Sequence, residues 1–247
     1  CLACAHTCKI PPDQSGICRL RSNQNGSLHV PHGYVANVAV DPVEKKPFYH
    51  FLPGEKAFSF GMLGCNFKCG FCQNWITSQT LKDKAAGTNT QNCSAQELVN
   101  LAQSNACRII SSTYNEPLIT SEWAVDIFQL AKGCGMKTTY VSNGFASTQV
   151  LDFLDPWLDA INIDLKCFTE ENYRQLGGRL LPVLDTIRAL HDRDKWIEII
   201  TLVVPGFNDS EEELREIAEF IASVDLEIPW HVSAYHADYK MSAGPRN

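Results

Sequence analysis

Ala57-Phe58-Ser59-Phe60-Gly61-Met62-Leu63-Gly64-Cys65-Asn66-Phe67-Lys68-Cys69-Gly70-Phe71-Cys72 runs from an apolar strand into a cysteine-rich loop. The run Ala57–Leu63 has the length and bounding glycines of a buried strand. The loop that follows spaces its cysteines as C-x3-C-x2-C. Three thiolates so close together suit a [4Fe–4S] cluster with one iron left open to an outside ligand. Structural zinc is the competing reading. It wants four closed ligands, and the fourth would have to come from elsewhere, Cys93 for example.

Working outward, further apolar runs recur near Arg108–Thr113, Lys137–Ser142, Ala160–Leu165, Trp196–Val204 and Pro229–Tyr235. Helical patterns separate them. Ser94 with Glu97 reads as a capping box, and so does Ser210 with Glu213, followed by Leu214, Ile217, Ala218 and Ile221 at helical spacing. Thr120–Lys132 and Leu181–His191 are the other expected helices. Strands alternating with helices predict βαβ units and a parallel sheet, hence an α/β fold. The pattern leaves open a doubly wound sheet or a partial barrel. Residues 1 to about 55 stand outside the alternation. They read as a small Cys-rich module plus a connecting segment, ahead of a domain over 56–247.

The whole chain has 247 residues, 45% of them hydrophobic and 20% charged, as in an ordinary globular protein. Its net charge of −7 excludes the basic footprint of a nucleic-acid binder. No apolar run is long enough to span a bilayer. No signal peptide is visible. The chain opens on Cys1 rather than Met, so residues are expected ahead of it. The 11 cysteines stand at 1, 4, 8, 18, 65, 69, 72, 93, 107, 134 and 167. An odd total with tight local groups argues for metal rather than a disulfide scaffold, and so for a reducing, cytoplasmic setting. Cys93, Cys107, Cys134 and Cys167 read as ordinary small hydrophobes.

The cysteine motif, with Phe71 directly before Cys72, resembles the signature of the radical S-adenosylmethionine (SAM) superfamily. That resemblance implies a partial (β/α)6 barrel of the TIM type. It implies SAM as the ligand of the open iron, with Phe71 against the adenine. It also implies reductive cleavage of SAM to methionine and a 5′-deoxyadenosyl radical that abstracts hydrogen from a substrate. Barrel chemistry gathers at the C-terminal ends of strands, and each remaining candidate falls there. In Thr113-Tyr114-Asn115-Glu116-Pro117 the superfamily often has Gly-Gly-Glu, so only Asn115 and Glu116 are carried over, toward the SAM amino group. Ser142-Asn143-Gly144 stands where similar activating enzymes bind SAM or a cation. Asp164-Leu165-Lys166 resembles the Asp-x-Lys motif of glycyl-radical-enzyme activases, with Lys166 for the SAM carboxylate and Asp164 orienting it. Strand alternation puts these two on one face. Val203-Val204-Pro205-Gly206-Phe207-Asn208-Asp209 resembles an activase turn, and Tyr235-His236 implies His236 near the ribose or adenine.

Cys1, Cys4, Cys8 and Cys18 form C-x2-C-x3-C-x9-C, with His6 between. Four thiolates can close a zinc site or hold a second Fe–S cluster. Together with Gly16-Ile17-Cys18, Asp41-Pro42-Val43-Glu44-Lys45-Lys46-Pro47-Phe48-Tyr49-His50, Pro229-Trp230-His231-Val232 and Asp238-Tyr239-Lys240-Met241, they resemble the AmmeMemoRadiSam-system radical SAM enzymes. These are relatives of the pyruvate formate-lyase activating enzyme. Memo-type and AMMECR-type partners are implied, along with a flavodoxin or ferredoxin reductant. The leading expectation is thus a radical SAM oxidoreductase. A glycyl radical enzyme activase is the narrower alternative, which the four N-terminal cysteines do not fit. A non-catalytic zinc-binding interaction protein is the alternative from another class.

Overall fold

A computed structural model describes residues 1–241. Seven strands form one sheet: β1 (Asn37–Pro42), β2 (Lys56–Gly61), β3 (Ile109–Ser112), β4 (Lys137–Ser142), β5 (Ala160–Asp164), β6 (Trp196–Val203) and β7 (Trp230–Ala234). Their order in space is their order in sequence. From β2 to β7 every neighbouring pair is parallel. Right-handed crossovers that always step the same way leave all helices on one face. The other face then curls inward. A doubly wound sheet would instead reverse its order at a switch point. The fold is therefore α/β, a partial (β/α)6 barrel.

Six helices of seven residues or more follow the strands: α1 (Ala95–Ser104), α2 (Ser121–Gly133), α3 (Thr148–Leu154), α4 (Glu170–Leu176), α5 (Leu180–His191) and α6 (Glu211–Val224). At α1 the expected capping box forms in both directions: Glu97 N donates to Ser94 Oγ, and Ser94 N donates to Glu97 Oε2 at 2.7 Å. At α6 only half of it forms. Ser210 accepts from Glu213 N, but the Glu213 carboxylate accepts from Phe168 N instead, at 2.6 Å. That bond carries one strand-end loop onto the next helix, and it outcompetes the local return bond. Helices α3 and α4 went unread because seven residues barely show a period. Each is opened by a hydroxyl cap, Ser147 or Thr169.

Alternation along the strands separates two environments. Phe58, Phe60, Ile110, Tyr140, Ile161, Ile163 and Ile199 join the main apolar core together with residues of the helices. The intervening Ser59, Ser111, Thr139 and Asn162 are buried too. Two of them meet the segment ahead of β2: Asn162 Nδ2 donates to Pro47 O at 2.9 Å and Ser59 Oγ to Ala39 O at 3.2 Å.

The segment before β2 differs from the expected linker. Asn37–Pro42 pairs antiparallel with β2 in continuous register, from Asn37↔Gly61 to Pro42↔Lys56, and so forms an edge of the sheet. The chain then turns under the barrel. Val43 and Phe48 are fully buried against Ala57, Ile109 and Ala160. One carboxylate fastens this plug. Buried Glu198, on β6, accepts from the backbone N–H groups of Tyr49, His50 and Phe51 at 2.8, 3.0 and 2.8 Å. It also accepts from Trp196 Nε1 at 3.1 Å and His231 Nε2 at 2.7 Å. His50 and His231 thus belong to the floor of the barrel, at the end away from the strand-end motifs. Replacing one charged oxygen by an amide leaves a buried donor facing donors. Glu198→Gln should cost about 2–4 kcal/mol of stability, read as a shifted denaturant midpoint.

Candidate active site

The cysteine loop begins where β2 and β3 end side by side. A Cβ on Gly61 would stand 2.4 Å from Thr113 O, so only glycine lets the two strand ends meet. Gly64 follows at φ +96°, a conformation that turns the chain into Cys65. Two hydrogen bonds then lock the loops: Glu116 N donates to Gly64 O at 3.1 Å and Met62 N to Asn115 Oδ1 at 3.0 Å. Asn115, expected at the SAM amino group, spends its side chain on this stitching, donating also to Glu116 O at 3.1 Å.

Cys65, Cys69 and Cys72 all line one cavity of about 490 Å³ inside the strand ends. Phe67 N donates to Cys65 Sγ at 3.3 Å, and Cys72 Sγ lies 3.2 Å from Ser78 Oγ. Lys82 Nζ clamps the loop by donating to Cys65 O and Phe67 O at 2.6 and 2.9 Å. Burial pushes all three thiols up, Cys69 to about 12. Three thiols converging on a cavity, with a backbone N–H already aimed at one sulfur, fit thiolate ligation of a cluster. Phe71 lines the same cavity and packs against Phe207 with ring centres 5.5 Å apart.

Glu116 is the most constrained acid of the site. Its carboxylate accepts from Ser142 Oγ at 2.7 Å, Asn143 N at 2.9 Å and Leu118 N at 3.1 Å. All three donors are neutral. Burial therefore pushes the carboxyl up to about 7, against the pull of these hydrogen bonds and of Lys166. A buried carboxylate without a direct ion-pair partner suits a cationic ligand group. Asn143 turns toward the cysteine loop, donating from Nδ2 to Asn66 Oδ1 at 2.7 Å and approaching Cys65 Sγ at 3.9 Å. Its role in the structure is to hold Cys65.

Across the cavity, Lys166 Nζ pairs with Asp164 Oδ2 at 3.1 Å, the same-face arrangement that alternation predicts. Burial works against the Lys166 charge, but the Asp164 carboxylate outweighs it and holds the ammonium protonated. Asn208, within the Val-Pro-Gly-Phe-Asn stretch, donates to Lys166 O at 2.7 Å and to Leu202 O at 2.8 Å. That turn therefore fixes the Lys166 backbone.

His236 does not join the group. It is exposed and does not line the cavity, because its neighbour Tyr235 takes the buried position. The residues after it do reach the site. Tyr239 stacks on Trp75 at 5.0 Å, and Lys240 N donates to Gly70 O at 3.0 Å, which straps the cysteine loop from outside. Sequence reasoning missed Lys46. Buried at the inner end of the cavity, its Nζ donates to Asp41 Oδ2 and Tyr114 OH, both at 3.1 Å. A lysine in a Lys-Lys-Pro run carries no local signal for this. The plug that turns Lys46 inward is a tertiary feature.

Radical SAM superfamily patterns match residues 61–221, and the chain belongs to that superfamily. Its cofactors are a [4Fe–4S] cluster and SAM, and the chain is an enzyme of that type. An uncharacterized protein of Methanocaldococcus jannaschii, MJ0808, is 35% identical over 247 residues, covering 99% of this chain and 73% of its own. The pyruvate formate-lyase-activating enzyme of Listeria monocytogenes is 28% identical over 199 residues, 74% of this chain and 76% of its own. SuiB of Streptococcus suis, solved with S-adenosylmethionine bound, superposes with a TM-score of 0.55 at 16% identity. The match covers 74% of this chain and 41% of that one, and supports the fold. Superfamily membership sets aside the non-catalytic zinc-binding reading. Among the described residues, no helix is long and apolar enough to cross a membrane.

The raised Glu116 pKa has a testable sign. The folded chain binds this proton more tightly than the unfolded chain, so the carboxyl's contribution to stability falls as pH rises from about 4.5 to about 7. Glu116→Gln removes this dependence. Relative to the wild type, the metal-free variant should gain stability between pH 5 and pH 8, as measured by chemical denaturation at both.

Proposed function

We propose that the chain reductively cleaves SAM and uses the resulting radical to abstract hydrogen from a substrate. The observation that carries this is the convergence of Cys65, Cys69 and Cys72 with Glu116 and Lys166 on one cavity. When bound, the cluster supplies the electron that splits the SAM sulfonium into methionine and a 5′-deoxyadenosyl radical. The chain's own residues do the rest. Cys65, Cys69 and Cys72 would hold the cluster, losing their protons as they do so. Lys166, fixed by Asp164 and by Asn208 beneath it, offers a charged donor to the SAM carboxylate. Glu116, held by Ser142 and Asn143, offers a buried acceptor on the side of the amino group. Phe71 gives the adenine an apolar wall, with Phe207 behind it. The enclosing strands keep water from a reactive carbon radical.

A narrower reading has its own support. Kinship with pyruvate formate-lyase-activating enzymes over 74% of the chain favours abstraction from a protein glycine. The reductant is then a one-electron carrier of the flavodoxin or ferredoxin type. Memo-type and AMMECR-type partners, and a cytoplasmic setting, rest on the sequence resemblance alone.

Anaerobic reconstitution with iron and sulfide, followed by dithionite and SAM, should yield 5′-deoxyadenosine by chromatography. Cys69→Ala should yield none; equal product from that variant would sink the proposal. Lys166→Met should weaken SAM binding by about 10- to 100-fold, the loss expected for a hydrogen bond to a charged group. A glycyl-radical doublet on a co-incubated partner, seen by electron paramagnetic resonance, would select the activase reading.

A further inference from the structure

Lys46 has no task in the SAM-binding half of the cavity, and the hydrogen bonds around it leave one donor over. Its side chain is 6% exposed. The plug holds it there from both sides. Lys46 N donates to Val43 O at 2.8 Å, and the next residue, Pro47, accepts from Asn162 Nδ2 at 2.9 Å. Lys46 Nζ then donates to Asp41 Oδ2 at 3.1 Å.

Tyr114 fixes the depth of the ammonium. Its backbone lies at φ +72°, a strained conformation for a residue with a Cβ. A Cβ on Gly61 would stand 2.9 Å from Tyr114 Cβ, so the tyrosine crosses β2 at its last residue. Its hydroxyl lies 3.1 Å from Ser59 Oγ, two residues back along the same strand. Two residues of strand span about 7 Å. Tyr114 thus points down into the barrel from its rim, and Lys46 Nζ, 3.1 Å from the hydroxyl, lies at that inner level.

The protons around Lys46 run one way. Ser59 Oγ donates its single proton to Ala39 O at 3.2 Å. It therefore accepts from Tyr114 OH, which in turn accepts from Lys46 Nζ. The phenol proton is used within this chain. An ammonium has three donors. Among the described residues, Asp41 and Tyr114 accept two of them, which leaves one N–H for the cavity that Lys46 lines. The charge is unbalanced in the same sense. Asp41 is shared between Lys46 and Lys45, the latter at 3.2 Å, and both lysines line the cavity. Two ammonium groups against one carboxylate leave one positive charge over. A single carboxylate matches it, whereas a phosphate dianion would set uncompensated charge beside Asp41. The same cavity offers apolar wall at Val141, Ile200 and Leu202, with Ile200 level with Asp164 in the sheet register.

We propose that Lys46 anchors the substrate, a small carboxylic acid. Its carboxylate accepts from the remaining Lys46 N–H, and its aliphatic or aromatic body lies along Val141, Ile200 and Leu202. Tyr114 is a positioning residue that holds the ammonium at its depth. In the step that follows, a C–H bond of the acid's body breaks and a C–H bond forms on the 5′-deoxyadenosyl radical. One hydrogen atom moves, the acid is left as a carbon radical, and the carboxylate keeps its charge. That the bound acid is a substrate rests on the function proposed above; its binding at Lys46 does not.

The test uses the reconstituted full chain with SAM and no reductant, so that binding is read without turnover. Butyrate, hexanoate and 3-phenylpropionate are titrated by calorimetry, each beside its amide. At least one acid should bind, roughly tenfold or more tighter than its amide. Lys46→Met should weaken that acid by about 10- to 100-fold and leave the amide largely unchanged, while Lys46→Arg should restore part of the loss. A merely structural lysine would move acid and amide alike. Should Lys46→Met fail to fold, the acid-to-amide ratio of the wild type and of Lys46→Arg carries the test. Equal binding of acid and amide, or an acid indifferent to Lys46→Met, overturns the anchor. So does binding of none of the three acids, and an acetylated Gly-Glu-Gly peptide that binds in their place assigns the carboxylate to a protein side chain instead. After dithionite is added, the bound acid, deuterated along its carbon chain, should pass deuterium to 5′-deoxyadenosine; product without deuterium overturns the acid as substrate. If no 5′-deoxyadenosine forms while Lys46-dependent binding persists, the function fails and the anchor stands.

Discussion

A single buried carboxylate gathers three strand ends. Through its side chain Glu116 holds Ser142 and Asn143 at the end of β4, and through its backbone it holds Gly64 after β2. Asn143 then reaches Cys65 and Asn66. The position of the first cysteine is therefore set by an acid 51 residues further along the chain. The constraint works only because Gly61 lets the two strands end in contact. Replace either residue and the loop that carries the thiols loses its footing before any ligand is lost.

The barrel is built to be hollow as well as to close. An inner face of leucines and isoleucines would fill it as in a closed eight-stranded barrel. Here serine, threonine and asparagine alternate with the large apolar residues that face the helices. The cavity lies at the strand ends, where Val141, Ile200 and Leu202 join the polar residues of its lining. The floor is closed separately, by the Val43–Phe48 plug on Glu198. The plug is also the cavity's inner wall, since Lys45, Lys46 and Pro47 line it.

The strands and long helices were legible because each carries a strong period or a cap. The cysteine triad and the Asp164–Lys166 pair were legible because spacing alone fixes their geometry. What stayed hidden depends on contacts distant in sequence. Asn115 and Asn143 look like ligand-binding residues, yet their amides are consumed by Met62, Glu116 and Asn66. His236 looks like a site residue, but Tyr235 takes the inward position. Glu213 reads as a cap and serves a neighbouring loop. Lys46 reads as a surface lysine and lies inside. In each case a tertiary hydrogen bond or plug outweighs the local pattern.

Burial of the cysteine loop has a consequence for the emptied site. Burial pushes the Cys69 thiol up to about 12, so its ionised form is scarce at neutral pH. Oxidants and alkylating agents act on the ionised form. A chain stripped of its iron by air would thus keep its sulfurs in their slow-reacting state.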